Sequence, residues 1–123
     1  MTIQELYAEI DGNYAHALDI MRMDRLIDKH IRKLEKSGMG QALREACRTM
    51  DARAIFDRAH AMKGVCGNLG LDHLSEAAGE IAEEFREGNP RTLSDDEVRA
   101  RVEDVCARFD HAAEGIRKYA GEA

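Results

Sequence analysis

Apolar residues recur along the chain at three- and four-residue intervals and nowhere with the sustained alternation of a half-buried strand. Ile55, Ala59, Met62, Cys66 and Leu69 step by four and three, which turns one stripe of a helix inward. Leu74, Ala78, Ile81 and Phe85 make a second stripe. Val98, Val102, Val105, Phe109, Ala112, Ile116 and Tyr119 make a third, about seven turns long at 3.6 residues each. Leu26, Ile27, Ile31 and Leu34 mark a further helix from Asp24 to Lys36, with its charges on the other face. Start and stop signals frame these stripes. Asp51 and Asp72 stand where caps belong, and Ser94-Asp95-Asp96-Glu97 is a capping box with Leu93 and Val98 placed as a hydrophobic staple. Ser37-Gly38, Gly70 and Gly88-Asn89-Pro90 are breaks, and a short helix from Gln41 to Thr49 lies between the first two. Ahead of the stripes, a piece from Ile3 to Ile10 breaks at Asp11-Gly12, and Asn13 caps a second short helix carrying Tyr14, Ala17, Leu18 and Met21. The pattern predicts an all-α fold, an antiparallel up-down four-helix bundle in one domain over 1–123, with 1–22 as a cap of short helices and 23–123 as the bundle.

Composition narrows the function. The 18 Lys and Arg against 24 Asp and Glu give a net charge of −6, so no broad cationic surface exists to replace counterions along nucleic acid. A 44% hydrophobic and 34% charged chain suits a compact globule with a solvated exterior. No apolar run reaches the roughly 20 residues of a bilayer span, and the first residues do not read as a secretion signal, so a cytoplasmic location with no membrane partner is expected. Cys47, Cys66 and Cys106 form no Cys-x-x-Cys pair, which argues against a disulfide framework or a zinc site. Cys66 and Cys106 fall on the inward stripes, where a reduced thiol packs as a small hydrophobe.

A bundle by itself says nothing about function, so the informative residues are those that break its rules. They cluster in Ala59-His60-Ala61-Met62-Lys63-Gly64-Val65-Cys66-Gly67-Asn68-Leu69-Gly70. Two glycines sit inside this helix although each costs roughly 1 kcal/mol relative to Ala. At about 100° per residue, Lys63 lies about 60° to one side of His60, Gly64 about 40° to the other, and Gly67 about 20° away one further turn on. His60 follows Ala59 of the inward stripe and so lies at the border of buried and exposed surface. The outcome is a flat strip carrying one imidazole and one ammonium, over which a concave protein site can close. The chemistry it fits is attack by a neutral imidazole nitrogen on a phosphoryl group, with the lysine screening the phosphoryl oxygens.

This run resembles the signature of the histidine-containing phosphotransfer (HPt) domain of phosphorelays: a His, a Lys three residues on, a Gly directly after it and a further Gly six beyond that. His60, Lys63, Gly64 and Gly70 match it. The departures are Val65 and Cys66, where the family often has Ser or Ala. The resemblance implies a four-helix bundle capped by N-terminal helical segments, with His60 as phosphoacceptor, Lys63 as its electrostatic assistant, and glycines that clear a docking face for a receiver domain, here Gly64 and Gly67 with Asn68 beside them. It further implies a monomeric relay without turnover of its own, placed between a histidine kinase and a response-regulator receiver. It would need no cofactor of its own, and the receiver would bring the Mg²⁺.

Asp57, one turn upstream of His60, is a candidate to orient the imidazole. Two other readings compete with this one. Asp57 and His60 have the i, i+3 spacing of a metal-binding bundle, but none of the other four histidines has Asp or Glu three residues before it, so a second half-site is missing and no metal is expected. A domain of the same fold that docks receivers without carrying phosphate is the other alternative, and retention of both His60 and Lys63 argues against it. His16, His30, His73 and His111 read as surface or satisfied histidines.

Overall fold

The computed structural model describes residues 1–121, and among these every regular element is helical. Seven helices follow in order: α1 (Ile3–Glu9), α2 (Tyr14–Met21), α3 (Asp24–Glu35), α4 (Met39–Arg48), α5 (Ala52–Asn68), α6 (Asp72–Glu84) and α7 (Asp95–Gly121). The expected stripes face one shared core, in which Ile55, Ala59, Met62, Cys66, Val98, Val102 and Ile116 are all buried. Several caps form as their sequences dictate. Asn13 accepts from the His16 amide and Asp51 from the Ala54 amide, while Ser94 and Glu97 exchange bonds of 3.1 and 3.0 Å.

Asp72 behaves differently from its expected capping role. It occupies the first helical position of α6, and no side chain caps that helix. Its carboxylate instead lies 2.7 Å from His16 Nδ1 and accepts from the Asn13 amide group at 3.3 Å, tying α2 to α6.

The first column of the bundle is split. α3 and α4 follow one another along α7 with Gly38, in a left-handed conformation at φ +71°, between them. Tyr119 donates to Asp28 near the top of α7. Lower down, a methyl at Gly40 would lie 3.1 Å from Phe109 Cδ1, and Arg44 bridges Asp110 and Glu103 at 2.9 and 3.0 Å. Where the sequence pattern suggests one bundle helix plus a separate short one, these two pieces in series run antiparallel to α7. Then α5 and α6 complete the four columns.

Both ends of the bundle are closed by specific contacts. At one end α1 lies so close to α7 that a methyl at Gly115 would come within 2.5 Å of Ile10 Cγ2. The buried Tyr7 hydroxyl donates to the Leu69 carbonyl at 2.6 Å, taking up an acceptor left free where α5 ends. At the other end the buried Glu84 carboxylate accepts from the Thr92 and Leu93 amides, the Thr92 hydroxyl and Arg91 Nε, all within 3.1 Å. The Leu93 amide is the leading cause of a carboxyl pKa held down to about 2, with the Thr92 and Arg91 bonds assisting. All three cysteines are buried and free, and burial pushes the Cys66 thiol up to about 12 and the Cys106 thiol up to about 11. No described helix is long and apolar enough to cross a membrane.

Candidate functional site

α5 carries the signature because its inward stripe is anchored on both sides, by α4 and by α6. The outward face between these contacts holds His60, Lys63 and Gly64, all exposed. Beyond Gly64 the surface is bare: nothing lies within 4 Å of the point where a side chain at this position would begin.

The His60 imidazole makes no hydrogen bond or ion pair with any described residue. Its one close partner is the Phe56 ring, one turn earlier, stacked with centroids 5.3 Å apart and planes 10° from parallel. Asp57, whose spacing suits an orienting group, lies 3.4 Å from Arg53 Nε across one turn, and no hydrogen bond or ion pair among the described residues joins it to the imidazole. Phe56 also receives the Arg86 guanidinium, 5.2 Å from its ring centroid. Phe56 was legible in principle, since residues four apart on a helix share a face. Arg86 was not, because it arrives from the end of another helix.

Lys63 leans away from His60's stacked side toward α6. Its aliphatic stem crosses Gly79, where an added methyl would lie 3.1 Å from Lys63 Cδ. The ammonium forms no ion pair among the described residues. Arg86 and then Asn89 hold the nearby Glu83 carboxyl below the usual carboxylate range, and Lys63 adds a smaller pull in the same direction.

The remaining glycines of the run serve packing. At Gly67 a methyl would meet Ser75 Oγ at 3.1 Å, because the Ser75 hydroxyl reaches across from α6 to donate to the Lys63 carbonyl at 2.8 Å. Gly70 sits at φ +69° with its carbonyl accepting from the Asn13 amide at 2.7 Å, and a methyl there would fall 2.3 Å from the Asn13 oxygen. Helical angle groups Gly67 with His60, yet its neighbour is α6; of the three glycines only Gly64 leaves open surface. Asn68 is exposed, on the rim of a mainly apolar groove of about 460 Å³ lined in part by Met21, Leu34, Met39, Val65 and Leu69.

Among the described residues, no group of three or more His, Cys, Asp and Glu is arranged to hold a metal ion. The other histidines have separate settings. His16 pairs with Asp72, His73 lies 3.8 Å from Asp11, and His111 lies 3.4 Å from the Glu9 carbonyl.

An exposed histidine and a lysine that forms no ion pair among the described residues thus share the flank of a capped helical bundle. The family model for the Hpt domain matches residues 28–117, so the chain belongs to the Hpt-domain family, whose members carry phosphoryl groups on histidine in phosphorelays and act as carriers rather than as enzymes. The match leaves out α1 and α2 and begins within α3. No significant match was found among curated proteins or among solved structures.

Proposed function

We propose that His60 is the phosphoacceptor of this Hpt domain and that it relays a phosphoryl group between a histidine kinase and the aspartate of a response-regulator receiver. The observation that carries this reading is the exposed His60 ring, with no hydrogen bond from the described residues on either nitrogen, beside the open surface at Gly64. In the step from receiver to this chain, the lone pair of one imidazole nitrogen attacks phosphorus. The bond from phosphorus to the aspartyl oxygen breaks, its electron pair leaves with the carboxylate, and the other ring nitrogen keeps its proton. The reverse step returns the group to a carboxylate.

The nucleophile is all that this chain must supply, because the receiver brings its own carboxylates and Mg²⁺. Lys63, which forms no ion pair among the described residues, is available to the incoming phosphoryl oxygens. Local charge favours the encounter as well. Although the chain is acidic overall, α5 carries three cations, Arg53, Arg58 and Lys63, against the single anion Asp57, opposite in sign to an acidic receiver site.

The test is acid-labile, base-stable labelling of the full chain by a phosphorylated receiver. His60→Gln is expected to abolish the label while helicity and receiver docking persist; undiminished labelling rejects His60. Lys63→Ala is expected to slow transfer without eliminating it, since a charge is lost and the nucleophile kept. Gly64→Gln, which fills open surface, is expected to weaken docking with the helix intact.

A further inference from the structure

The imidazole of His60 would be poorly fixed if its helix were its only support. Gly64 builds no wall on one side, and no hydrogen bond from the described residues reaches either ring nitrogen. Histidines that must present one nitrogen are usually held through the other. Here the ring is held by its face.

Phe56 supplies that hold, and it is itself held from two directions. It is half-buried against the core, and the Arg86 guanidinium lies over its ring. Arg86 is fixed in turn by the Glu83 carboxylate, with Nε at 3.0 and 3.2 Å from its two oxygens. Asn89 completes the chain of contacts, donating to both Glu83 Oε1 and the Glu83 carbonyl at 3.1 and 3.0 Å. A continuous series of contacts therefore runs from the turn after α6 to the reactive imidazole on α5. It sets an aromatic ring against one face of the imidazole and leaves the ring edge, where the attacking nitrogen's lone pair lies, without a hydrogen bond from the described residues.

We propose that Phe56, braced by Arg86, is a positioning residue for phosphoryl transfer: by stacking on His60 it fixes the plane of the imidazole, so that the in-plane lone pair points outward along the direction of attack. This rests on His60 being the phosphoacceptor. In-line displacement at phosphorus requires the lone pair, the phosphorus and the leaving oxygen to align, and a ring free to swing spends little time in that geometry.

Two measurements on the full-length chain test the proposal. The first needs no phosphodonor. The His60 ring protons, lying over an aromatic face, are expected upfield in the NMR spectrum of the wild type. They should return toward ordinary positions in Phe56→Leu and stay upfield in Phe56→Tyr. Unchanged His60 shifts in folded Phe56→Leu would overturn the proposal.

The second is single-turnover transfer from a receiver domain loaded with acetyl phosphate and chosen because it labels the wild-type chain. Phe56→Leu is expected to lower the saturating rate by about tenfold, with the half-saturating receiver concentration changed by less than about twofold. Phe56→Tyr should restore most of the rate, and Arg86→Gln should give a smaller loss of the same kind. A wild-type saturating rate in Phe56→Leu, or equal losses in the Leu and Tyr variants, would sink the positioning role. Failure of His60→Gln to remove the label would instead sink the assignment of the acceptor, so the two ideas fail separately.

Discussion

Helix α5 and the turn that ends it hold two glycine-containing stretches with opposite surroundings. Around Gly64 the helix flank is empty, and the missing side chain leaves surface open to a partner. At Gly70, two turns on, the missing side chain makes room for the chain itself: the backbone of Asn13 and Ala17 passes so close that any Cβ would collide. Gly67 lies between and belongs with the closed end, since Ser75 occupies the space that its side chain would take. A glycine inside a helix signals that something must come near. Whether that is another molecule or another segment of the same chain is a tertiary question.

The comparison can be broken by measuring stability, and the closed end offers the largest effect. Gly70→Ala places a Cβ 2.3 Å from a backbone oxygen in a left-handed residue, and is expected to cost about 3 kcal/mol or more in urea denaturation. A loss below about 1 kcal/mol would mean that the cap yields readily.

Glu84→Gln, at the far end of the bundle, is a control that touches neither stretch. Losing a carboxylate that accepts from two amides, a hydroxyl and an arginine should cost about 2 kcal/mol near neutral pH. The folded-state pKa of about 2 lies below the ordinary 4.5, so this contribution is complete above the ordinary value and fades as pH falls toward 2. The stability gap between wild type and variant should narrow over that window, and a gap independent of pH would place the stabilisation elsewhere.

Tyr7→Phe removes the bond to the Leu69 carbonyl and leaves a buried acceptor unsatisfied, for an expected loss of about 1 kcal/mol. Amide exchange at the end of α5 should report the same weakening. Gly64→Ala is the smallest effect and the only one of opposite sign: in open surface, a better helix former should stabilise by up to about 1 kcal/mol. Destabilisation by this change would show that the flank is less open than the structure makes it.

Periodicity made α5, α6 and α7 legible, together with the capping box at Ser94 and the breaks at Gly38 and Gly70. Asp72 shows where local rules fail. As the first polar residue before a stripe it looks like a cap, yet His16 and Asn13 from α2 draw its carboxylate away. The candidate site divides in the same manner. His60, Lys63 and Gly64 could be read from one stretch of chain, whereas Gly79 and Ser75 come from α6 and Arg86 from the turn after it, and none shares a sequence signal with that stretch. Asp57 stands at a helical distance suited to meet His60, but Arg53, one turn away on its own helix, engages it.

The linear order of residues was therefore enough to determine that this protein is all helical, where its helices begin and end to within a residue or two, and which histidine stands beside a lysine and a bare glycine. Those properties depend on spacing within a single helix, where rise and turn are constant. Only the folded molecule decided what lies against each face: that Phe56 holds the imidazole, that the Lys63 stem crosses α6 at Gly79, and that Gly70 serves the N-terminal cap. Such contacts join residues far apart in sequence, and close packing of whole helices, rather than any local preference, selects them.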